Sequence, residues 1–454
     1  MFLEKKINLF LNLKFYSIIR LVLGGSTMKD KYYDFTSSLI MGIIFIVVGI
    51  ILLVGKTKLY QEIISILIFI LWGNAFIHLI RLYFRKQTKR KKKEALYFCL
   101  FHFFICLIFA ILPNFILGIA PLLFAFYLLC IALSQFIVCY LELKSKETNG
   151  ARYFLIGCIY LFISLPIIFS PINNIDRFLN CLAVYIFFLG ISFIYDGIIQ
   201  VIPKKTKNTL KRKIKFTLPK IIEALIPYSV MLEINHNLEV NGQNTYSYYN
   251  PSDQSVDLNI LIHTSNRGFN RMGHIDICFK GKVISYGCYD EGSRFVGELF
   301  GDGVLFIANS KKEYINFCID NSKKTIFDFG IHLTEKQKSK VEERIQELMK
   351  NTYPWNHKQD KNYKNASSYA GRLYKKTKAK FYKFKSGKYK TYFVLGTNCC
   401  FLADDIIGAS GMDILSINGI ITPGTYYDYL NRSFKRKNSN IIYKEIYNKD
   451  RRAK

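Results

Sequence analysis

Two cysteines stand side by side in GTNCCFLADDIIGASG, residues 396–411. Adjacent thiols can pack, ligate a metal, or supply a nucleophile. The other cysteines of the polar half, Cys278, Cys288 and Cys318, form no CxxC pair and no Cys/His ligand spacing. A zinc site or disulfide framework is therefore not expected, and no metal or organic cofactor is called for. Six more cysteines (Cys99, Cys106, Cys130, Cys139, Cys158 and Cys181) lie in apolar stretches, where thiols behave as small hydrophobes. For Cys399 the sequence context is a strand, a turn and then a short amphipathic helix. A thiol at a helix start feels the positive end of the dipole, which favours thiolate. Cys400 points about 100° away on such a helix and reads as packing. A thiol nucleophile also needs a base held beside it. His274 is the candidate: it follows Gly273 and opens the strand HIDICF, and the chain returns through Ser285-Tyr286-Gly287 with a polar side chain to orient the ring. Asp290 is a nearby alternative orienter. His236, His263, His332 and His357 lack comparable context and are assigned structural roles.

The elements that must hold these residues are legible from residue 222 onward. SVDLNILIHTS (255–265) and GVLFIA (303–308) alternate as strands, and HIDICF pairs with KVISYG across Lys280-Gly281-Lys282 as a β-hairpin. EYINFCIDNS and LTEKQKSKVEERIQELMKN have helical period, the latter capped by Thr334. FYKFKSGKYKTYFVL is predicted as a second hairpin turning at Ser386-Gly387, directly before the cysteines. The expectation is an α+β domain over 222–435 with a modest sheet, followed by a basic tail, 436–454.

GHIDICFKGKVISYG, the helix through NTYPWN, TNCCFLADDIIG and the Thr-Pro of NGIITPGTYYDYL, in that order, resemble the circularly permuted branch of the NlpC-type papain-like fold. Lecithin-retinol acyltransferase-like and YiiX-like proteins belong to that branch, and the likeness spans most of residues 250–435. It implies a thiol hydrolase or acyltransferase with Cys399 as nucleophile and His274 as base. The family's third position, about twelve residues after the histidine, falls at Tyr286, where many relatives carry His or an acid. A tyrosine orients a neutral imidazole but cannot offset imidazolium charge as a carboxylate does.

The first half of the chain is a different material. Residues 37–203 are apolar, and six spans are expected at 37–55, 60–82, 95–112, 116–140, 152–170 and 178–201, each near the ~20 residues a bilayer requires. The chain carries 63 Lys and Arg against 33 Asp and Glu, a formal charge of +30. Much of it sits in segment 81–94, the 142–152 connection and the 204–221 linker, whereas the alternate loops are nearly bare. The positive-inside rule then puts both termini and the C-terminal domain on the cytoplasmic side of a multi-pass protein, read as that of a bacterial cell membrane. Three hairpins with glycines at 42, 49, 55 and 190 resemble the HdeD-like six-span family, whose activity is itself poorly defined. Residues 1–36 read as an N-terminal extension, with Met28 a candidate natural start. His78, His102 and Asp196 are the main ionisable groups near membrane depth, too few to suggest transport chemistry.

Partners follow from charge and location. The lipid bilayer is one. The lysine- and aromatic-rich run 375–392 reads first as a hairpin with a solvated face, then as a contact for anionic lipid, and last for nucleic acid, which is unlike its setting. The expected function is a membrane-tethered cysteine hydrolase or acyltransferase acting on an amide or ester. The competing expectation is a non-catalytic stress or envelope protein whose papain-like domain binds a lipid or peptide in a degenerate cleft.

Overall fold

A computed structural model describes residues 31–84, scattered positions in 96–112, then 113–144, 150–201, 225–241, 247–250, 254–265, 271, 273–296, 299–356, 368–411, 422–435 and 439–453. The segments carrying Met28, His102, His357, most of the basic loops and the 204–221 linker lie outside the described residues. The chain divides into two compact units, one of residues 43–136 with 151–190, the other built mainly on 191–454.

The first unit is helical. It is built from most of α1 (Lys31–Phe84), α2 (Pro113–Lys144), α3 (Gly150–Phe169) and α4 (Ile175–Val201). Among the described residues four helical segments are long and apolar enough to cross a membrane: Thr36–Gly73, Leu117–Lys144, Gly150–Phe169 and Ile175–Tyr195. The first contains the expected spans 37–55 and most of 60–82, divided at Lys56, whose φ of 43° and ψ of −144° are not helical. A helix restarted after a break has orphan N–H groups. Here the Thr57 N–H donates to Asp176 Oδ1 at 3.1 Å and its hydroxyl to the same oxygen at 2.6 Å. Gly49 lets α1 come close to α4, since a Cβ there would lie 3.0 Å from the Ala183 carbonyl oxygen.

The second unit carries an α+β domain. After α5 (Ile226–Asn241) come β1 (Ser247–Tyr249), β2 (Leu258–Thr264), β3 (His274–Phe279), β4 (Lys282–Gly287), β5 (Phe300–Asp302), β6 (Val304–Ala308), α6 (Lys311–Ser322), β7 (Thr325–Ile331), α7 (Glu335–Lys350), β8 (Thr352–Trp355), α8 (Tyr369–Thr377), β9 (Lys380–Phe384), β10 (Thr391–Phe393), α9 (Cys399–Ala409), α10 (Pro423–Phe434) and β11 (Ile441–Tyr447). Nine strands form one antiparallel sheet in the order β1-β11-β7-β2-β3-β4-β6-β9-β8. The central strands β2 and β7 are buried along their whole length. The β3–β4 hairpin turns at Lys280 and Gly281, with φ of 49° and 76°, the left-handed pair that a two-residue turn demands. It sets Cys278 opposite Val283, so Asp276 falls opposite Ser285 and Ile275 opposite Tyr286.

Two expectations change here. The hairpin at 381–395 does not form: β9 is paired on both sides, by β6 and β8, so β10 instead pairs with β5 in a separate two-stranded ribbon. The stretch 436–454, read from its charge as a tail, contains β11, an interior strand of the sheet between β1 and β7. Its alternating Ile441, Tyr443, Glu445 and Tyr447 is a strand pattern that the lysines obscured.

The α7 start follows its sequence signal. Thr334 Oγ1 accepts from the Gln337 N–H, and Gln337 Oε1 accepts from the Thr334 N–H at 3.0 Å, a capping box. Thr334→Ala is expected to cost about 1 kcal/mol in stability, measurable as a lowered unfolding midpoint. An unchanged midpoint would show that water replaces the cap.

Strand alternation creates two apolar layers. Ile275, Ile277, Ile284 and Tyr286 face the layer that includes α9 and α10. Cys278, Val283 and Phe306 face the layer of α6 and α8, with Tyr314, Phe317 and Leu373.

Candidate active site

Two local devices set the position of Cys399. Asn398 is the N-cap of α9, its Oδ1 accepting from the Phe401 N–H at 3.1 Å. Its amide nitrogen donates to the Val394 carbonyl at 2.7 Å, so the side chain is held at both ends and Cys399 is fixed as the first helical residue. His274 is placed by Gly273, which has φ of 86° and approaches so closely that a Cβ would lie 2.9 Å from the His263 carbonyl oxygen and 3.0 Å from Pro423. A side chain there would displace the first residue of β3, the histidine itself.

The structure brings Cys399 and His274 together. The two side chains act on one another electrostatically, and the Ile275 backbone N–H also favours the thiolate. The Cys399 thiol is held well below the ordinary range. The neighbouring Cys400 is the main cause, its Sγ 4.0 Å away; burial opposes the shift, and the His274 charge adds to it. Burial alone would pull His274 down, but the Asp276 carboxylate and Cys399 outweigh it and raise the imidazole to about 10. The charged form of each group thus favours the charged form of the other. By contrast, burial raises Cys278 and Cys318 to about 11, which makes them inert thiols.

The imidazole is surrounded by oxygen at Nε2. His274 Nε2 lies 3.0 Å from Ser285 Oγ, 3.0 Å from Tyr289 OH and 2.8 Å from Asp276 Oδ1. Ser285 and Tyr289 are themselves hydrogen-bonded at 2.7 Å. The Nε2 hydrogen-bond direction is satisfied by Ser285 and Tyr289, whereas Asp276 Oδ1 lies off it and acts on the ring through its charge.

Tyr286, the third member suggested by resemblance, is not beside His274. The pleat turns it to the opposite layer, where its hydroxyl donates to the Tyr389 carbonyl at 3.0 Å and its ring packs against Phe384, Tyr389 and Tyr392. Asp290 is engaged elsewhere, 2.5 Å from Lys383 Nζ. The residues that do meet His274 are Asp276, Ser285 and Tyr289. Of these, the sequence reading anticipated only a polar side chain from 285–287. His263 was read as structural, yet it sits 2.8 Å from Asp276 Oδ2. His332 meets Asp257 and the Ser255 carbonyl, away from this site.

Among the described residues, no group of three or more His, Cys, Asp or Glu side chains is arranged to hold a metal ion. Comparison with known proteins finds no match to a protein-family model, to a curated protein or to a solved structure.

Proposed function

We propose that this chain is a membrane-tethered cysteine hydrolase or acyltransferase that cleaves an amide or ester bond. The observation that carries the reading is Cys399 fixed as the first residue of the Asn398-capped helix α9 with His274 of β3 acting on it, the thiol depressed and the imidazole raised. The Cys399 thiolate attacks the substrate carbonyl. The first N–H groups of a helix lack intrahelical acceptors, so that of Cys399 is suited to the oxyanion. His274, as imidazolium, gives its proton to the leaving alcohol or amine, leaving a thioester on Cys399. His274, now neutral, takes a proton from water or from an acceptor nucleophile that releases the acyl group. The order of histidine strand before nucleophile helix supports kinship with the permuted NlpC-type branch.

The apolar helices support membrane attachment. In this reading the helical region forms six spans, HdeD-like in rhythm, of a bacterial cell membrane protein with both termini and the α+β domain cytoplasmic. That location disfavours external cell-wall crosslinks and favours lipid esters, acyl amides, or cytoplasmic peptide and isopeptide bonds. Arg372, Lys375, Lys376, Lys378 and Lys380 are exposed on α8 and the start of β9, in keeping with contact to anionic lipid.

The test is labelling of the full chain, in membranes, with a mild thiol-reactive probe at pH 6, read by mass spectrometry at each cysteine. Cys399 is expected to label first, Cys399→Ser to lose the fast phase, and Cys400→Ser to slow Cys399 without abolishing its preference, since His274 still lowers the thiol. Labelling no faster than at an ordinary thiol would refute the reading. One observation favours the competing one, a non-catalytic domain that binds lipid or peptide: Cys399 is only 5% exposed. Slow labelling at every pH would select it.

A further inference from the structure

Asp276 lies two residues beyond His274 on β3, so both side chains fall on one face of the strand. It is 1% exposed, and an isolated carboxylate there would be strongly disfavoured. One hydrogen bond and two imidazoles surround it. Tyr314 of α6 donates its hydroxyl to Oδ2 at 2.6 Å, His263 Nε2 of β2 lies 2.8 Å from Oδ2, and His274 Nε2 lies 2.8 Å from Oδ1. Tyr289, Tyr369 and Cys318 are the other titratable groups around it, and Lys324 is a further cation acting on His263. Two imidazoles therefore flank one carboxylate in different states. Burial pulls His263 down to about 4 although Asp276 opposes it, so His263 is neutral. His274 is the charged one.

α9, with Cys399, belongs to one apolar layer, whereas Tyr314, which hydrogen-bonds Asp276, belongs to the other. We infer that Asp276, hydrogen-bonded by Tyr314 and flanked by His263 in the layer beneath, is the positioning residue of this site, a buried carboxylate that compensates the imidazolium facing Cys399. The inference rests on the proposed nucleophile and assigns the role that resemblance gave to Tyr286. The carboxylate supplies charge, while Ser285 and Tyr289 supply direction. His263 contributes by being neutral: a second imidazolium beside Asp276 would divide the carboxylate's charge between two rings.

Two readouts on the full chain test this. In the first, thiol labelling at pH 6 is compared in wild type and Asp276→Asn. The isosteric variant is expected to slow Cys399 at least tenfold at pH 6 and much less at pH 9.5, because a weaker imidazolium lets the thiol keep its proton. A merely structural role would change both pH values alike. Tyr314→Phe removes that hydrogen bond and keeps the charge, so a drop of about threefold at pH 6 is expected. In the second, ¹⁵N-histidine NMR follows His274 in a Cys399→Ser background, where no thiolate contributes. The imidazolium is expected to persist beyond pH 8, and Asp276→Asn to return it to about 6.5 or below. Identical His274 titrations with and without Asp276→Asn would overturn the inference. An unactivated Cys399 in wild type, with His274 still responding to Asp276→Asn, would overturn the proposed function and leave the carboxylate's assignment standing.

Discussion

His274→Ala is expected to invert the pH dependence of Cys399 reactivity. In the intact protein the thiol is depressed and the imidazole raised to about 10, so more thiolate than at an ordinary thiol, and a weaker pH dependence of labelling, are expected through neutrality. Without the imidazole the thiol rises toward the ordinary range, pushed up by burial while Cys400, the main cause of its depression, still opposes the rise. At pH 6 an ordinary thiol is roughly 300-fold depleted in thiolate. A thiolate of higher pKa is intrinsically more nucleophilic, with a slope of about 0.4–0.5, which recovers part of that loss. The net expectation is labelling on the order of tenfold slower at pH 6, with the two profiles crossing above about pH 8.5. Hydrolysis would behave differently, since it also needs the imidazolium proton. Turnover by the intact protein should be level across neutral pH and fall above about 10, where the imidazole loses that proton. Parallel labelling profiles for wild type and His274→Ala, without a crossing, would remove His274 from the site.

The largest expected loss of stability is away from the site, at Lys311. Its ammonium lies 2.5 Å from Asp328 Oδ2 and donates to Tyr443 OH at 2.9 Å. Asn259 donates to the other Asp328 oxygen at 2.9 Å and to Tyr443 OH at 2.7 Å. Asp328 is fully buried, and burial pushes its carboxyl up although Lys311 opposes the shift. Lys311→Met leaves that carboxylate without its counter-charge, a loss of about 3–5 kcal/mol. For a domain of this size the unfolding midpoint should fall on the order of 10 °C, followed by fluorescence of the buried Trp355. The deficit should shrink as pH falls, because a neutral Asp328 needs no partner. Lys311→Met with Asp328→Asn should recover most of it. A drop below about 3 °C at neutral pH would mean that Asn259 and Tyr443 satisfy the carboxylate by themselves.

The legible part of this fold was the part written in local signals. The Lys280-Gly281 turn, the Thr334 cap and the uniform apolarity of the α1–α4 helices need no partner to be recognised. What was misread depends on pairing across distance. β10 could not be separated from β9 without knowing that β6 and β8 occupy both edges of β9. β11 looked like a tail because lysines flank its apolar positions. At the site, the approach of Cys399 to His274 was anticipated, but Tyr286 was placed on the wrong face. The signal against it was present. A two-residue turn fixes the register of β4 on β3, which puts residue 285, not 286, level with the face of His274 and Asp276. Asp276 itself was visible in HIDICF, at the spacing that strand alternation assigns to the same face. Tyr289 lies past the end of β4, where neither register nor period reaches.

The sheet order has a consequence for how this domain comes into being during translation. β11 is made after every other strand of the sheet, yet it takes a place between β1 and β7. Until it emerges from the ribosome, β7 presents an unpaired, apolar edge and β1 has nothing to join. Such an edge invites strand addition from another chain. The domain therefore passes through an open interval late in its own synthesis, with the thiol helix already made and the sheet still unsealed. A nascent chain arrested before Ile441 should be protease-sensitive at residues 247–250 and prone to aggregate, while one extended past Tyr447 should resist. Closure of the sheet by its last strand would thus time the moment at which the assembled domain becomes able to act.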